Sequence, residues 1–229
     1  MHPLFDGLEP LITALNPHGQ AGRVRVVGGA VRAWLRHENL AYAERDVAVD
    51  MPPEDVLSAC LSARLMAEAP GLRWGTVVVQ LGGKKIEVTS LRADVYSPGS
   101  RYPTVRWVHN WAEDAQRRDF TCNAIYVAED GTLFDPFGGV QDLQHSLVRF
   151  VGDAATRVRE DPLRILRFFR FCGHYGLGGL TPELAAILRA AAPGLSTVSE
   201  ARRAREMALL RATPQAPSVL AEMERLGLA

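Results

Sequence analysis

Five short segments of the 229-residue sequence carry residue types that can do chemistry together. In Val27-Gly28-Gly29-Ala30-Val31-Arg32, two glycines end an apolar run and open a helical one. Such a turn lets backbone approach a ligand closely and aims helix N–H groups at it. Arg32, one turn in, offers a planar fork suited to a triphosphate. A glycine pair is also often no more than a turn, and the chain has others at 82–83, 138–139 and 178–179. In Glu44-Arg45-Asp46-Val47-Ala48-Val49, alternate residues of a strand share a face, so Glu44 and Asp46 would project together. Two adjacent carboxylates repel unless a cation lies between them, and Mg²⁺ is the natural resident. A pair of such ions can activate a hydroxyl and stabilise a leaving pyrophosphate. The plain alternative is an edge strand with solvated acids.

Glu87, within Ile86-Glu87-Val88, is either a third carboxylate brought to that face by a neighbouring strand or a water-facing strand acid. The fourth segment is Glu113-Asp114-Ala115-Gln116-Arg117-Arg118-Asp119-Phe120-Thr121-Cys122-Asn123-Ala124. The fifth runs from Glu160 to Phe171. There Asp161, Arg164 and Arg167 are spaced to lie on one helix face, and an acceptor beside a donor can read a base edge. An ordinary intrahelical ion pair explains the same spacing.

The elements needed to position these groups can be read from the pattern. Arg23 to Val27 reads as a strand, Ala30 to His37 as a helix, and Arg45 to Val49 as a second strand. A helix with Pro in its first turn should begin at Pro53. Thr76 to Leu81 and Lys85 to Thr89 flank Gly82-Gly83 as a hairpin. Ser97-Pro98-Gly99-Ser100 marks a surface loop, and Ala112 to Gln116 a short helix. From Pro162 onward Leu163, Leu166, Phe169, Leu184, Ile187 and Leu188 recur at helical spacing. A boundary is placed near 145, with a mixed α/β domain (1–145) before it and a helical domain (146–229) after it.

Composition adds limits. Apolar content of 47% and charged content of 23% are ordinary for a globular protein. No apolar run approaches the roughly 20 residues that span a bilayer, and Met1 to Asp6 gives no signal-peptide pattern, so a cytoplasmic protein with no membrane partner is expected. Cys60, Cys122 and Cys172 read as free, buried thiols. Net charge is zero, yet eleven arginines face six acids between Arg149 and Arg211, with no lysine. That balance suits a polyanion, and equally a solvated helix surface in a chain that prefers arginine.

Taken in order, GGAVR, the acidic pair, IEVTSLR, RRDFTCNA, DPFGGVQDL and EDPLRILRFFRF resemble the bacterial-type (class II) CCA-adding tRNA nucleotidyltransferase and poly(A) polymerase family. The likeness runs from about Val24 to the C-terminus, and Leu195 to Leu210 is similar to the helical segment that follows the nucleotide-reading helix there. The resemblance implies an α+β fold: a nucleotidyltransferase-type mixed α/β head followed by an all-helical neck that selects the nucleotide and binds RNA. It implies Mg²⁺-dependent, template-independent transfer of CMP or AMP from CTP or ATP to an RNA 3′ end, in tRNA above all. Gly28, Gly29 and Arg32 would hold the triphosphate, and Glu44 and Asp46 the metals. Glu87 would assist the attacking 3′-hydroxyl. Arg118, rather than Arg117, would contact the nucleotide. Asp161 and Arg164 would select the base, supported by Arg167 and Arg170.

Three departures qualify the likeness. The family's acidic pair is Asp-x-Asp. Either Glu44-Arg45-Asp46 replaces it, or Asp46 aligns with the first acid and the second is lost to Ala48. Ala33 stands where the family has Asp. Family members usually continue with further helical domains that hold tRNA, so a chain ending at Ala229 is expected to be a shortened piece or a short paralogue. A catalytically impaired nucleotide- or RNA-binding paralogue is the alternative function. In the family, the choice among CC, A, CCA and poly(A) products depends partly on a flexible loop, here roughly Arg92 to Val105, which looks close to full length.

Overall fold

The computed structural model describes residues 2–20, 22–96 and 103–228. They divide into two compact units, Met1–Arg118 with Asn123–Phe137, and Asp119–Cys122 with Gly138–Ala229. The division falls ahead of the 145 expected from sequence, because Asp142 belongs with the helical unit. Its carboxylate accepts from the Thr121 hydroxyl at 2.5 Å and pairs with Arg149 at 3.0 Å.

In the first unit, α1 (Glu9–Leu15) precedes β1 (Val24–Val27), α2 (Gly29–Leu35), β2 (Asp46–Val49) and α3 (Pro53–Ser62). Then follow β3 (Met66–Gly71), β4 (Thr76–Leu81), β5 (Lys84–Ser90), β6 (Arg92–Val95), β7 (Thr104–Trp107), α4 (Trp111–Gln116), β8 (Tyr126–Ala128) and β9 (Leu133–Phe134). Seven strands form one sheet in the order β3-β4-β5-β2-β1-β8-β9. Every pairing in it is antiparallel except β2 with β5. Val24, Val26, Val47, Val49, Val77, Val79 and Val88 are buried and fix its inner face, as β-branched residues do on a pleated surface. Against it, α3 packs on β3, β4 and α1; Pro53 opens that helix, and Glu54 and Asp55 complement its positive end.

The hairpin expected at Gly82-Gly83 is present, both glycines adopting the positive φ a two-residue turn requires. The segment expected to be a flexible loop pairs at its two ends as β6 and β7. The Ser97-Pro98-Gly99-Ser100 loop lies outside the described residues.

The second unit holds α5 (Gly139–Gln144), α6 (Ala154–Glu160), α7 (Leu163–Tyr175), α8 (Pro182–Ala191), α9 (Glu200–Arg211) and α10 (Ala216–Leu226). Its core is an aromatic cluster. Phe120, from the short 119–122 stretch, lies 4.9 Å from Phe150 and 5.2 Å from Phe171, and Phe150 stacks on Phe168 at 5.7 Å. Packing of α7 against α9 and α10 depends on Gly173, where an added Cβ would meet Thr213 Oγ1 at 2.1 Å. All three cysteines are free and buried. Among the described residues no helix is long and apolar enough to cross a membrane.

Candidate active site

The register of the sheet brings the acids together. Asp46 is paired with Glu87 across the parallel β2–β5 ladder, and with Val27 on β1, which is paired in turn with Tyr126 on β8. Directly opposed residues share a sheet face, so Glu87, Asp46, Val27 and Tyr126 form one row. Val27 is the last residue before the glycine turn. At Gly28 (φ +75°) an added Cβ would lie 2.8 Å from Asp46 Oδ2, so only glycine leaves that carboxylate its place. The turn delivers the chain into α2, whose Ala30 N–H donates to the Glu44 carbonyl at 3.1 Å. A side chain on Gly29 would likewise approach that carbonyl, at 3.3 Å.

That hydrogen bond corrects the expected strand geometry. Glu44 is not in β2, which starts at Asp46; its carbonyl is spent on the α2 turn, and its side chain is exposed. The strand neighbour two along from Asp46 is Ala48, which is buried. Arg45 donates to the Asp6 carbonyl and so leaves the acidic site. Glu44 still lies near enough to act on Asp46 through its charge.

Burial first, then the charges of Glu87 and Glu44, push the Asp46 carboxyl up to about 6, against the opposing pull of Arg118 and Arg32. A site that strains to hold its own carboxylate charged favours a cation there. Among the described residues no group of three or more His, Cys, Asp or Glu side chains is close enough to hold a metal alone. One or two carboxylates, completed by water and substrate phosphate, are what Mg²⁺ usually takes, and Asp46 with its acidic neighbours fits that ion.

Two arginines frame the acids. Arg32 Nη1 donates to Asn123 Oδ1. Arg118 donates from Nε to the Tyr126 hydroxyl at 2.8 Å and from Nη1 to the Asn123 carbonyl at 3.3 Å. Behind it lies Asp114, buried on α4 and paired with Arg117 at 2.8 Å. Burial would raise the Asp114 carboxyl; Arg117 and Arg118, the Tyr126 hydroxyl and the Arg92 amide reverse that and hold it at about 2. Asp114, Asn123 and Tyr126 carried no role in the sequence reading. The spacing of Asp114, Arg117 and Arg118 at i, i+3 and i+4 was the available signal for the first; the other two needed the sheet order. A cavity of about 620 Å³ lies at the other end of β1, lined by Arg23, Arg25, Asp50, His109 and Trp111 among others, away from the acids.

The helical unit arranges its predicted residues differently from one helix face. Asp161 closes α6 in extended backbone (φ −143°, ψ 101°), one residue before the Pro162 that caps α7. Its Oδ1 accepts the Leu163 amide at 3.1 Å and its Oδ2 pairs with Arg202 at 3.0 Å. Arg164 is buried and bound to Glu160 at 2.7 Å and to the Arg157 carbonyl at 3.0 Å. Arg167 pairs with Asp119 at 2.6 Å, and Arg170 with Glu206 at 3.0 Å.

A mixed sheet with an acidic row beside a strand–glycine–helix turn, followed by a helical unit, defines the class: a nucleotidyltransferase head with a helical region after it. Residues 24–149 match the Poly A polymerase head domain family, and the chain belongs to that family. It is 38% identical over 90% of its length to CCA tRNA nucleotidyltransferase 1, mitochondrial, of Danio rerio, covering 48% of that protein. It is 36% identical over its whole length to the CCA-adding enzyme of Geobacillus stearothermophilus, covering 54% of it. Among solved structures, the Bacillus stearothermophilus CCA-adding enzyme in complex with CTP superposes with a TM-score of 0.85 at 36% identity, over all of this chain and 53% of that one. A tRNA nucleotidyltransferase complexed with a primer tRNA and an incoming ATP analog matches at a TM-score of 0.70 and 26% identity, over 90% of this chain and 58% of that one. The chain thus spans about half the length of the relatives it matches.

Proposed function

We propose that the chain carries template-independent transfer of CMP or AMP from CTP or ATP to an RNA 3′ end, most directly the 3′ CCA end of tRNA or part of it. The observation that carries this reading is the row of Asp46 and Glu87 beside Gly28, where burial and like charge call for a cation. The relatives' activities and the nucleotide and tRNA complexes of its structural neighbours support the same substrates. Asp46 and Glu44 would hold Mg²⁺, which when bound supplies the positive charge that activates a hydroxyl and stabilises a leaving pyrophosphate. Gly28 and Gly29 leave room for the triphosphate. Arg32 and Arg118 donate to its oxygens from positions set by Asn123 and Tyr126. Glu87, exposed beside Asp46, accepts the hydrogen bond of the attacking 3′-hydroxyl.

Base selection is assigned to Asp161 and Arg164 of the helical unit, with Arg167 and Arg170 holding their surroundings through Asp119 and Glu206. Both selecting groups already have partners, so reading a base means exchanging them, Arg202 for Asp161 and Glu160 for Arg164. The arginine-rich third of the chain is assigned to RNA, and a cytoplasmic site of action fits this role. The test is incorporation of labelled CTP and ATP into tRNAs ending at the discriminator base, at C and at CC. Asp46→Ala is expected to abolish incorporation while leaving the circular dichroism spectrum unchanged. Full incorporation by that variant sinks the assignment. CTP binding with no transfer to any of the three tRNAs would instead establish the impaired, binding-only paralogue, for which the exposed Glu44 and the alanine at position 33 speak.

A further inference from the structure

Asp114 uses its whole acceptor capacity inside the head. Oδ1 accepts from Arg117 Nε at 2.9 Å and from the Arg92 amide at 3.2 Å. Oδ2 accepts from the Tyr126 hydroxyl at 2.6 Å and from Arg118 Nη2 at 3.4 Å. A carboxylate has about four lone-pair sites, and all are taken. With its proton committed to Asp114, the Tyr126 hydroxyl presents a lone pair to Arg118 Nε at 2.8 Å. The Asn123 carbonyl takes one N–H of Nη1. These contacts engage three of the five guanidinium N–H groups, and the guanidinium carbon lies 5.0 Å from the centre of the Tyr126 ring.

Asp46 is the competing attraction. It stands in the same row as Tyr126 and feels the Arg118 charge. An unanchored guanidinium beside a half-buried carboxylate would close on it as a bidentate pair. That closure would take the same oxygens a cation needs and withdraw the arginine from a nucleotide.

We propose that Asp114, acting directly and through Tyr126, is a positioning residue that holds Arg118 off Asp46 and keeps its two remaining N–H groups for a phosphate of the incoming nucleotide. The inference rests on the nucleotidyl-transfer reading above. The helix α4 and the Asp114-to-Arg118 spacing are then part of nucleotide binding as well as of the core.

The experiment is calorimetric titration of the 229-residue chain with CTP in the presence of Mg²⁺, as a double-mutant cycle. Asp114→Asn is expected to weaken binding about tenfold, since hydrogen bonds to charged groups are the stronger ones. Tyr126→Phe, which removes one oxygen and keeps the ring in the core, is expected to weaken it about threefold and stands in if the Asn variant fails to fold. In an Arg118→Met background both losses should vanish, because nothing is left to position. Undiminished losses in that background, or wild-type affinity in Tyr126→Phe, overturn the proposal. A wild-type chain that binds no CTP refutes the functional reading itself and this inference with it.

Discussion

Asp46→Asn should make the metal-free protein more stable, although it removes the central acid of the site. The Asp46 carboxyl is displaced from its ordinary 3.8 up to about 6, chiefly by burial and next by Glu87. About two pH units at roughly 1.4 kcal/mol each means that holding the carboxylate charged costs the fold about 3 kcal/mol. The sign follows from linkage. The folded chain binds this proton more tightly than the unfolded one, so the penalty is absent below pH 3.8, grows between 3.8 and 6, and is complete above 6. Asparagine keeps the shape and carries no charge. Urea denaturation in EDTA at pH 7.5 should therefore show the Asn variant more stable by up to about 3 kcal/mol, and at pH 4 the two proteins should nearly coincide. Mg²⁺ should stabilise wild type by mass action and leave the variant almost unchanged. An Asn variant less stable than wild type at pH 7.5, or one with the same gain at both pH values, would show that Asp46 is not held against its own charge.

Glu87→Gln removes the largest charge acting against Asp46, so an NMR titration should find the Asp46 carboxyl lowered from about 6 toward its ordinary value, with nucleotide transfer slowed. Glu44→Gln should raise the Mg²⁺ concentration needed for half-maximal transfer while hardly changing the urea midpoint in EDTA, because that side chain is exposed. Gly28→Ala must hold a Cβ at φ +75° and 2.8 Å from Asp46 Oδ2; about 1–3 kcal/mol of lost stability and loss of transfer are expected, read by denaturation and incorporation assays. Phe168→Ala should cost the helical unit about 3–5 kcal/mol, seen as a lower urea midpoint of its helical signal, since the ring stacks on Phe150 and meets Phe169 at 5.3 Å.

Local rules made much of the head readable. The Gly82-Gly83 hairpin, the Pro53 helix start and the valine-rich strand before Gly28 each depend on a few adjacent residues, and each forms where expected. The acidic site was readable only in part. Two-residue alternation placed Glu44 beside Asp46, yet a strand lasts only as long as its ladder, and the last rung on β1 is Val27 with Asp46. A backbone bond to Ala30, invisible to periodicity, ends the strand there. Asp161 was misplaced on a helix face although a local sign was available: a residue before proline is pushed out of the helical region. In the Asp114–Tyr126–Arg118 network the Asp114-to-Arg118 spacing was legible, but the place of Tyr126 lay beyond reach for a different reason. It requires β8 to pair with β1, and a sheet order that departs from chain order is not encoded in any one segment.

The site owes its character to an imbalance that this order creates. Antiparallel pairing of β1 with β2 puts the glycine turn against Asp46, and parallel pairing of β2 with β5 adds Glu87 to the same row. Together they leave Asp46 raised to about 6, by burial first and then by the charge of Glu87, against the pull of Arg118 and Arg32; Arg118 is bound meanwhile to Tyr126 and Asp114, and Arg32 to Asn123. On the proposed function the carboxylates would take a cation and the guanidiniums an anion, and a metal-bound nucleoside triphosphate is a ligand that supplies both at once.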